Sequence, residues 1–209
     1  MLMKQKIKIL IADDHKIVRI GLSALLAHEK DMSVVGEAED GQQVLDNVAR
    51  MKPDVVIMDL MMPVMDGEMA TTELRKTHPD VKVIILTSYG TADGIANALQ
   101  AGATGAVLKT ADDSILLSAI RAVASGQRFI SEGISQLLAN DPPAQKLSPR
   151  QLEVLHSLTR GLTNKEIALQ LGIGEARVEE HVNAIFSKIN ASNRAEAVAI
   201  AMRKHLLKI

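Results

Sequence analysis

In the stretch Val55-Val-Ile-Met-Asp-Leu-Met-Met-Pro-Val-Met-Asp-Gly67, apolar residues stand on both sides of the carboxylate of Asp59. Residues 55–58 predict a short buried β-strand that ends at Asp59. A carboxylate among Val, Ile, Leu and Met is costly to remove from water unless it lies at a surface or pairs with a cation. We therefore expect Asp59 to lie at the carboxyl end of a strand, beside positive charge, and to have a function.

Short apolar runs alternate with helical patterns as far as residue 126. Strands are predicted at residues 7–11, 34–38, 55–58, 83–86 and 106–108, with helices near 16–28, 41–51, 67–77 and 92–101 and another after 112. Five βα units of this kind predict a doubly wound, five-stranded parallel sheet with helices on both faces. We place the first domain at residues 1–126.

The pattern changes after Gly126. Residues 127–146 include Asn140-Asp-Pro-Pro-Ala-Gln145, which is typical of a linker. Residues 147–209 are helical throughout, and capping boxes at Ser148 and Thr163 start the first two helices. The turn Gly172-Ile-Gly174 before the third helix predicts a helix-turn-helix, although a small helical bundle of another kind has the same pattern.

Composition limits the classes of function. The chain has no Cys and only three aromatic residues, which excludes disulfides and disfavours stacking on single-stranded nucleic acid. The net charge is −4 over residues 1–126 and +3 over residues 147–209, a weak indication of two tasks. No apolar stretch approaches about 18 residues, and the N-terminus lacks a secretory core, so we expect a cytoplasmic protein with no membrane partner.

Polar side chains follow four of the five predicted strands. They are Asp13 and Asp14, Asp59, Thr87 and Ser88, and Lys109. Loops after strands are commonly polar, but four strand ends together favour a ligand site at the carboxyl edge of the sheet. Three converging carboxylates would repel one another, so at least one would be protonated unless a cation is present, and oxygen ligands without Cys favour Mg²⁺. Asp59 is then placed as a nucleophile that forms an aspartyl phosphate, with metal and lysine offsetting the phosphoryl charge.

These motifs, in this order and spacing, resemble a two-component receiver domain. The resemblance implies a flavodoxin-like strand order 2-1-3-4-5 and transfer of a phosphoryl group from a sensor histidine kinase to Asp59. It further implies Mg²⁺ held by Asp14, Asp59 and the backbone carbonyl of Met61, with Asp13 acting through water. Phosphoryl contacts from Thr87 and Ser88 and pairing with Lys109 complete the implied site.

Three positions bear on how closely the family pattern is followed. Thr110 follows Lys109 where many receivers have Pro, and Ala106 stands near the place of a switch aromatic. We expect Tyr89 to be a loop residue. Phosphohydrolases with an Asp nucleophile use Asp-x-Asp, but Leu60 and Met61 follow Asp59, so we do not expect an enzyme.

The helical region resembles the DNA-binding domain of LuxR/NarL-type regulators. The resemblance rests on Leu147-Ser-Pro-Arg-Gln-Leu-Glu-Val-Leu155, Gly161-Leu-Thr-Asn-Lys-Glu-Ile-Ala168 and Val178-Glu-Glu-His-Val182. It implies four helices, the third of which enters the major groove of double-stranded DNA and the last of which supports dimers. We thus expect a response regulator in which phosphorylation favours a homodimer on paired half-sites.

Helical spacing predicts which residues face the DNA. If Val178, Val182, Ile185 and Ile189 form the buried stripe, the outer face carries Glu175, Glu179, Glu180 and Asn183. Candidate phosphate contacts are Lys165, Arg177, Lys188 and Arg194. Glu179 replaces the usual basic residue, and two glutamates weaken phosphate affinity, although Glu accepts from cytosine N4. An alternative is therefore a C-terminal domain that acts mainly through protein contacts.

Overall fold

The computed structural model describes residues 6–88, 92–204 and 206–207. Tyr89 lies outside the described residues. The chain divides into two compact units, Met1–Asp141 and Pro142–Ile209, and each is described by itself below.

Among the described residues of the first unit, six parallel strands form a central sheet in the order β2-β1-β3-β4-β5-β6. The strands are β1 (Ile7–Ala12), β2 (Met32–Ala38), β3 (Val55–Met58), β4 (Lys82–Thr87), β5 (Gly105–Leu108) and β6 (Phe129–Ile130). The predicted order of the first five strands is confirmed. The predicted number of strands is wrong by one, because β6 adds a two-residue edge through the pairs Gly105↔Phe129 and Ala106↔Ile130.

Helices cover both faces of this sheet, as the doubly wound prediction requires. They are α1 (Lys16–Ala27), α2 (Gly41–Met51), α3 (Gly67–Thr77), α4 (Ala92–Gln100), α5 (Asp113–Ala124) and α6 (Glu132–Asn140). One apolar cluster packs α1 and α5 against the sheet, through residues such as Leu26 and Ile120. The other packs α2, α3, α4 and α6 against the opposite face, through residues such as Val44, Leu74 and Ile95.

The segment 127–141, which lies in the predicted linker, contains β6 and α6. Ile134 of α6 is fully buried in the core of the first unit, and Ile130, Leu137 and Leu138 pack against the same cluster. The first unit therefore extends past the predicted end at residue 126, because these apolar side chains find partners on the sheet.

In its described residues, the second unit contains four helices, as predicted. They are α7 (Pro149–Thr159), α8 (Asn164–Leu171), α9 (Glu175–Ile189) and α10 (Arg194–Arg203). Capping boxes are formed at Ser148 and Thr163, where each hydroxyl accepts from the N3 backbone N–H. The predicted stripe of α9 is buried against the other helices. In the part of the chain that the structure describes, no helix is long and apolar enough to cross a membrane.

Candidate functional site

The pairing of β1 with β3 brings the predicted carboxylates together. Ala12 pairs with Met58, and the backbone N–H of Asp59 donates to the carbonyl of Ala12 over 2.9 Å. Asp13 and Asp59 therefore leave adjacent strands at the same edge, where their side chains are 2% and 8% exposed. Carboxylate oxygens of Asp13, Asp14 and Asp59 and a ring nitrogen of His15 all lie within 4.8 Å of one another.

Lys109 follows β5 and reaches into this carboxylate cluster. Its Nζ lies 2.5 Å from Oδ2 of Asp13 and 2.7 Å from Oδ2 of Asp59, with the lysine side chain 13% exposed. The backbone N–H of Lys109 donates to the carbonyl of Thr87 over 2.8 Å, which sets the lysine at the strand edge. The strand ends predicted that these residues converge, but the bridge of Lys109 between two carboxylates is seen only in the structure.

Burial and pairing shift the pKa values of both Asp59 and Lys109. Burial raises the pKa of Asp59, and the charge of Asp13 raises it further, while Lys109 acts in the opposite direction without cancelling the effect. Burial alone would lower the pKa of Lys109, but hydrogen bonds and charge from Asp13 and Asp59 outweigh it, so the pKa of Lys109 is raised. The raised pKa values show that this carboxylate cluster favours the binding of positive charge. Lys109 therefore stays protonated at neutral pH.

The loop from Asp59 to Gly67 is closely packed against the strand end. Gly67 N–H donates to the carbonyl of Leu60 over 3.0 Å, and a Cβ at Gly67 would overlap the carbonyl oxygen of Asp59. Asp66 caps α3 by accepting from the N–H of Met69 over 2.8 Å. Met61 lies in this loop with its side chain exposed, two residues after Asp59. The sequence Met-Asp-Gly therefore fixes the path of the chain beside the acceptor.

Thr87 and Ser88 lie at the end of β4, at the same edge. Thr87 is the last residue of the strand and pairs with Leu108, the residue before Lys109. Thr87 is buried, whereas Ser88 is exposed. The structure therefore brings all of the predicted strand-end residues to one edge.

Two residues near the site were missed by sequence reasoning. Nδ1 of His15 lies 2.7 Å from Oδ1 of Asp14, and its backbone N–H donates to Oδ1 of Asp13 over 2.9 Å. Arg19 is buried on α1, and its guanidinium reaches the backbone carbonyl of Asp13. Arg19 shares a helical face with Leu22 and Leu26, and a charged residue on an apolar face was the available signal.

Some of the predicted DNA-contacting residues are exposed, and two are partly buried. Lys165 on α8 is exposed, and so are the candidate phosphate contact Arg177 and the predicted outer-face residues of α9, which are Glu175, Glu179, Glu180 and Asn183. Lys188 is partly buried and donates to the Lys146 carbonyl over 3.1 Å and to Oε1 of Gln151 over 2.9 Å. Arg194 is also partly buried and donates to the carbonyl of Leu162. Both of these cations are therefore bonded within their own domain.

Comparisons with known families match both units. Residues 9–121 match the family model described as response regulator receiver domain. Residues 145–201 match the model described as bacterial regulatory proteins, luxR family.

Full-length relatives are similar across the whole chain. The oxygen regulatory protein NreC of Staphylococcus carnosus (strain TM300) is 38% identical over 214 residues, which cover 96% of this chain and 99% of that protein. The response regulator ChrA of a heme-sensing two-component system is 37% identical, with a TM-score of 0.59 and coverage of 97% and 99%. RcsB of Salmonella typhimurium is 28% identical, with a TM-score of 0.73 and coverage of 94% and 100%.

Several of the matched solved structures contain DNA. A structure of an RcsB–DNA complex matches at 27% identity and a TM-score of 0.70, covering 96% of this chain and 99% of that one. The families matched here are those of transcription regulators and not of enzymes. The chain belongs to the two-component response regulators that join a receiver domain to a LuxR-type helix-turn-helix DNA-binding domain.

Proposed function

We propose that Asp59 accepts a phosphoryl group from a sensor histidine kinase and that this modification controls binding of the C-terminal domain to double-stranded DNA. The observation that carries the proposal is the bridge of Lys109 to Asp13 and Asp59, at 2.5 and 2.7 Å. A carboxylate nucleophile beside a fixed ammonium is the arrangement that offsets the charge of a transferring phosphoryl group.

The donor set of the edge suits Mg²⁺. Three carboxylates converge there, and an ammonium already lies between two of them, so the site has an excess of negative charge that a hard cation would neutralise. Asp14, Asp59 and the backbone carbonyl of Met61 would hold Mg²⁺ directly, and Asp13 would act through water. When bound, Mg²⁺ supplies charge neutralisation at the phosphoryl oxygens.

The transfer needs little covalent chemistry from the rest of the domain. A carboxylate oxygen of Asp59 bonds to phosphorus as the bond from phosphorus to the kinase histidine nitrogen breaks, and that nitrogen keeps the electron pair. Lys109 pairs with the phosphoryl oxygens, and the hydroxyls of Thr87 and Ser88 contact them. Burial of Asp59 keeps bulk water from the acyl phosphate, which favours a modification that lasts long enough to signal.

The exposed face of α9 is the surface we propose for the major groove. Lys165 and Arg177 are exposed and would contact phosphates, while Glu179, Glu180 and Asn183 would face base edges. Lys188 and Arg194 would reach DNA by exchanging their bonds within the domain. Phosphorylation would favour a homodimer that places two such helices on paired half-sites. The alternative of a domain acting mainly through protein contacts gains no support from the relatives, one of which was solved on DNA.

Labelling by a small phosphodonor tests the acceptor. Wild-type protein in Mg²⁺ should incorporate one phosphoryl group as an acyl phosphate, which is hydrolysed in base. The Asp59→Asn variant should incorporate none. Asp54→Asn is a matched control, because Asp54 lies just before the same strand at its other end and bonds the Lys8 N–H over 2.8 Å. Undiminished labelling of Asp59→Asn would contradict the assignment.

A further inference from the structure

Arg19 is a charged residue in a buried position on α1. Its side chain is 6% exposed, although arginine is almost never fully buried without partners. It belongs to the helix that follows the Asp13–Asp14 pair, and it faces the sheet with Leu26. A buried guanidinium costs desolvation energy, so its bonding partners indicate what it does.

The guanidinium of Arg19 bonds to two segments of the chain. Nη1 donates to the backbone carbonyl of Asp13 over 2.7 Å. Nε donates to Glu37 over 3.1 Å and Nη2 donates to Glu39 over 2.5 Å, both near the carboxyl end of β2. Arg19 therefore ties the loop after β1 to the end of β2.

The carbonyl that Arg19 holds belongs to the peptide unit that joins Asp13 to Asp14. The N–H of Asp13 is also fixed, since it donates to the carbonyl of Ala38 over 3.1 Å. With both backbone groups of Asp13 bonded, the directions in which the two carboxylates leave the chain are set. Removing Arg19 frees that peptide unit and leaves Glu37 and Glu39 without their shared counter-charge.

We propose that Arg19 is a positioning residue for the cation site, which acts by holding the Asp13–Asp14 peptide unit rather than by touching the cation. The inference rests on the proposed function in that the cation is Mg²⁺. Groups that orient ligands from behind commonly change metal affinity by about 10- to 100-fold when they are removed. Lysine cannot replace this arginine, because a single ammonium does not present the planar fork that reaches three acceptors.

The test is Mg²⁺ titration of full-length Arg19→Met and Arg19→Lys by calorimetry, together with the rate of labelling of Asp59 at a series of Mg²⁺ concentrations. We expect the Mg²⁺ dissociation constant to rise about 10-fold in both variants. We expect the labelling rate at saturating Mg²⁺ to stay within about twofold of wild type, since the residues that contact the phosphoryl group are unchanged. A raised Mg²⁺ dissociation constant with an unchanged labelling rate at saturating Mg²⁺ distinguishes a loss of cation positioning from general damage to the domain.

Arg121→Met is the matched control. Arg121 also bonds two carboxylates, Glu29 over 2.5 Å and Asp31 over 2.8 Å, but at the amino end of β2 and away from the cation site. The Arg121→Met substitution should leave the Mg²⁺ dissociation constant unchanged. A wild-type Mg²⁺ affinity in both folded Arg19 variants would overturn the proposal. If Arg19→Met does not fold, Arg19→Lys, which keeps the charge and most of the stem, decides the question by the same titration.

The calorimetric readout separates this inference from the acceptor assignment. Normal Mg²⁺ binding by wild type, weakened binding by the Arg19 variants and no labelling of Asp59 would support the role of Arg19 while contradicting the proposed function. An equal loss of labelling in the Arg19 variants at every Mg²⁺ concentration, with unchanged Mg²⁺ affinity, would overturn the positioning role.

Discussion

The Nζ atom of Lys109 lies 2.7 Å from Oδ2 of Asp59, and the two residues are 50 positions apart in the chain. The same ammonium also bonds Asp13, so one cation serves two buried carboxylates. The stabilising effect of the raised pKa of Lys109 is fully present below its ordinary value of 10.5 and is lost as pH rises through the higher value in the folded protein. At neutral pH the bridge is therefore intact, and it marks the position where phosphoryl charge would be neutralised.

Asp59→Asn should stabilise the protein when Mg²⁺ is absent. Burial raises the pKa of Asp59 above 3.8, so protonation favours the folded state, and this contribution is lost as pH rises through the folded value. Asn resembles the neutral form, so at pH 7 in EDTA we expect a melting temperature higher by roughly 2–5 °C. The gain should shrink as pH is lowered towards about 4. Thermal unfolding at both pH values checks this, and a variant less stable than wild type at pH 7 would refute it.

Gly67→Ala should destabilise the receiver and disturb the acceptor. The added Cβ would overlap the backbone carbonyl of Asp59, which has no flexible end to move aside. We expect a loss of about 1–3 kcal/mol in urea unfolding, together with slower labelling of Asp59.

Gly21→Ala makes the same chemical change at a position on α1 where nothing lies within 4 Å of the new Cβ. It should stabilise the domain by roughly 0.5–1 kcal/mol, because alanine favours helix interiors. Equal effects of the two substitutions would show that the close approach at Gly67 is unimportant.

Val64→Asn should stabilise the loop that follows the acceptor. Val64 has a φ of 64°, in the left-handed region that β-branched residues rarely adopt, and its side chain is exposed, so no packing is lost. Asn tolerates this conformation, so we expect a gain of about 1 kcal/mol in unfolding free energy. The control is Val64→Thr, which keeps the branched Cβ and should give no gain. A gain with Thr equal to that with Asn would count against backbone strain as the cause.

Glu179→Lys should strengthen binding to duplex DNA. Glu179 is exposed on the face of α9 proposed for the major groove, where its negative charge repels the phosphates that flank the groove. A lysine there attracts those phosphates instead, and if it pairs with one of them the salt dependence steepens by roughly one unit of slope. Asp80→Lys makes the same charge change at an exposed site on the receiver and should alter affinity much less. Fluorescence anisotropy over a salt series measures both. If the two variants behave alike, α9 is not the face that approaches DNA.

Much of this architecture follows from local signals, and the exceptions have identifiable causes. Asp59, Asp13 and Lys109 were predictable because each ends an apolar run, and parallel strands bring such ends to one edge. The strand β6 could not be predicted, because two residues are too few to show the alternation of apolar and polar residues that marks a strand. The carboxylate partners of Arg19 lie 18 and 20 positions away, one near the end of β2 and one just after it, and could not be assigned from spacing.

In the helical domain, too, local features were predictable from the sequence and long-range contacts were not. Its capping boxes and the buried stripe of α9 are local patterns, and the structure confirms both. The bonds of Lys188 and Arg194 to backbone carbonyls depend on how the helices pack, so charge alone suggested surface cations instead. Their contact with DNA stays a prediction.

We propose above that modification of Asp59 controls DNA binding. The most direct test is anisotropy of a labelled promoter duplex with full-length wild type and Asp59→Asn, in Mg²⁺ with and without beryllofluoride as a phosphoryl mimic. We expect the mimic to tighten DNA binding by the wild type at least about tenfold, with steep salt dependence, and to leave binding by Asp59→Asn unchanged. Equal tightening of both proteins, or no effect on wild type despite formation of the mimic complex, would contradict it.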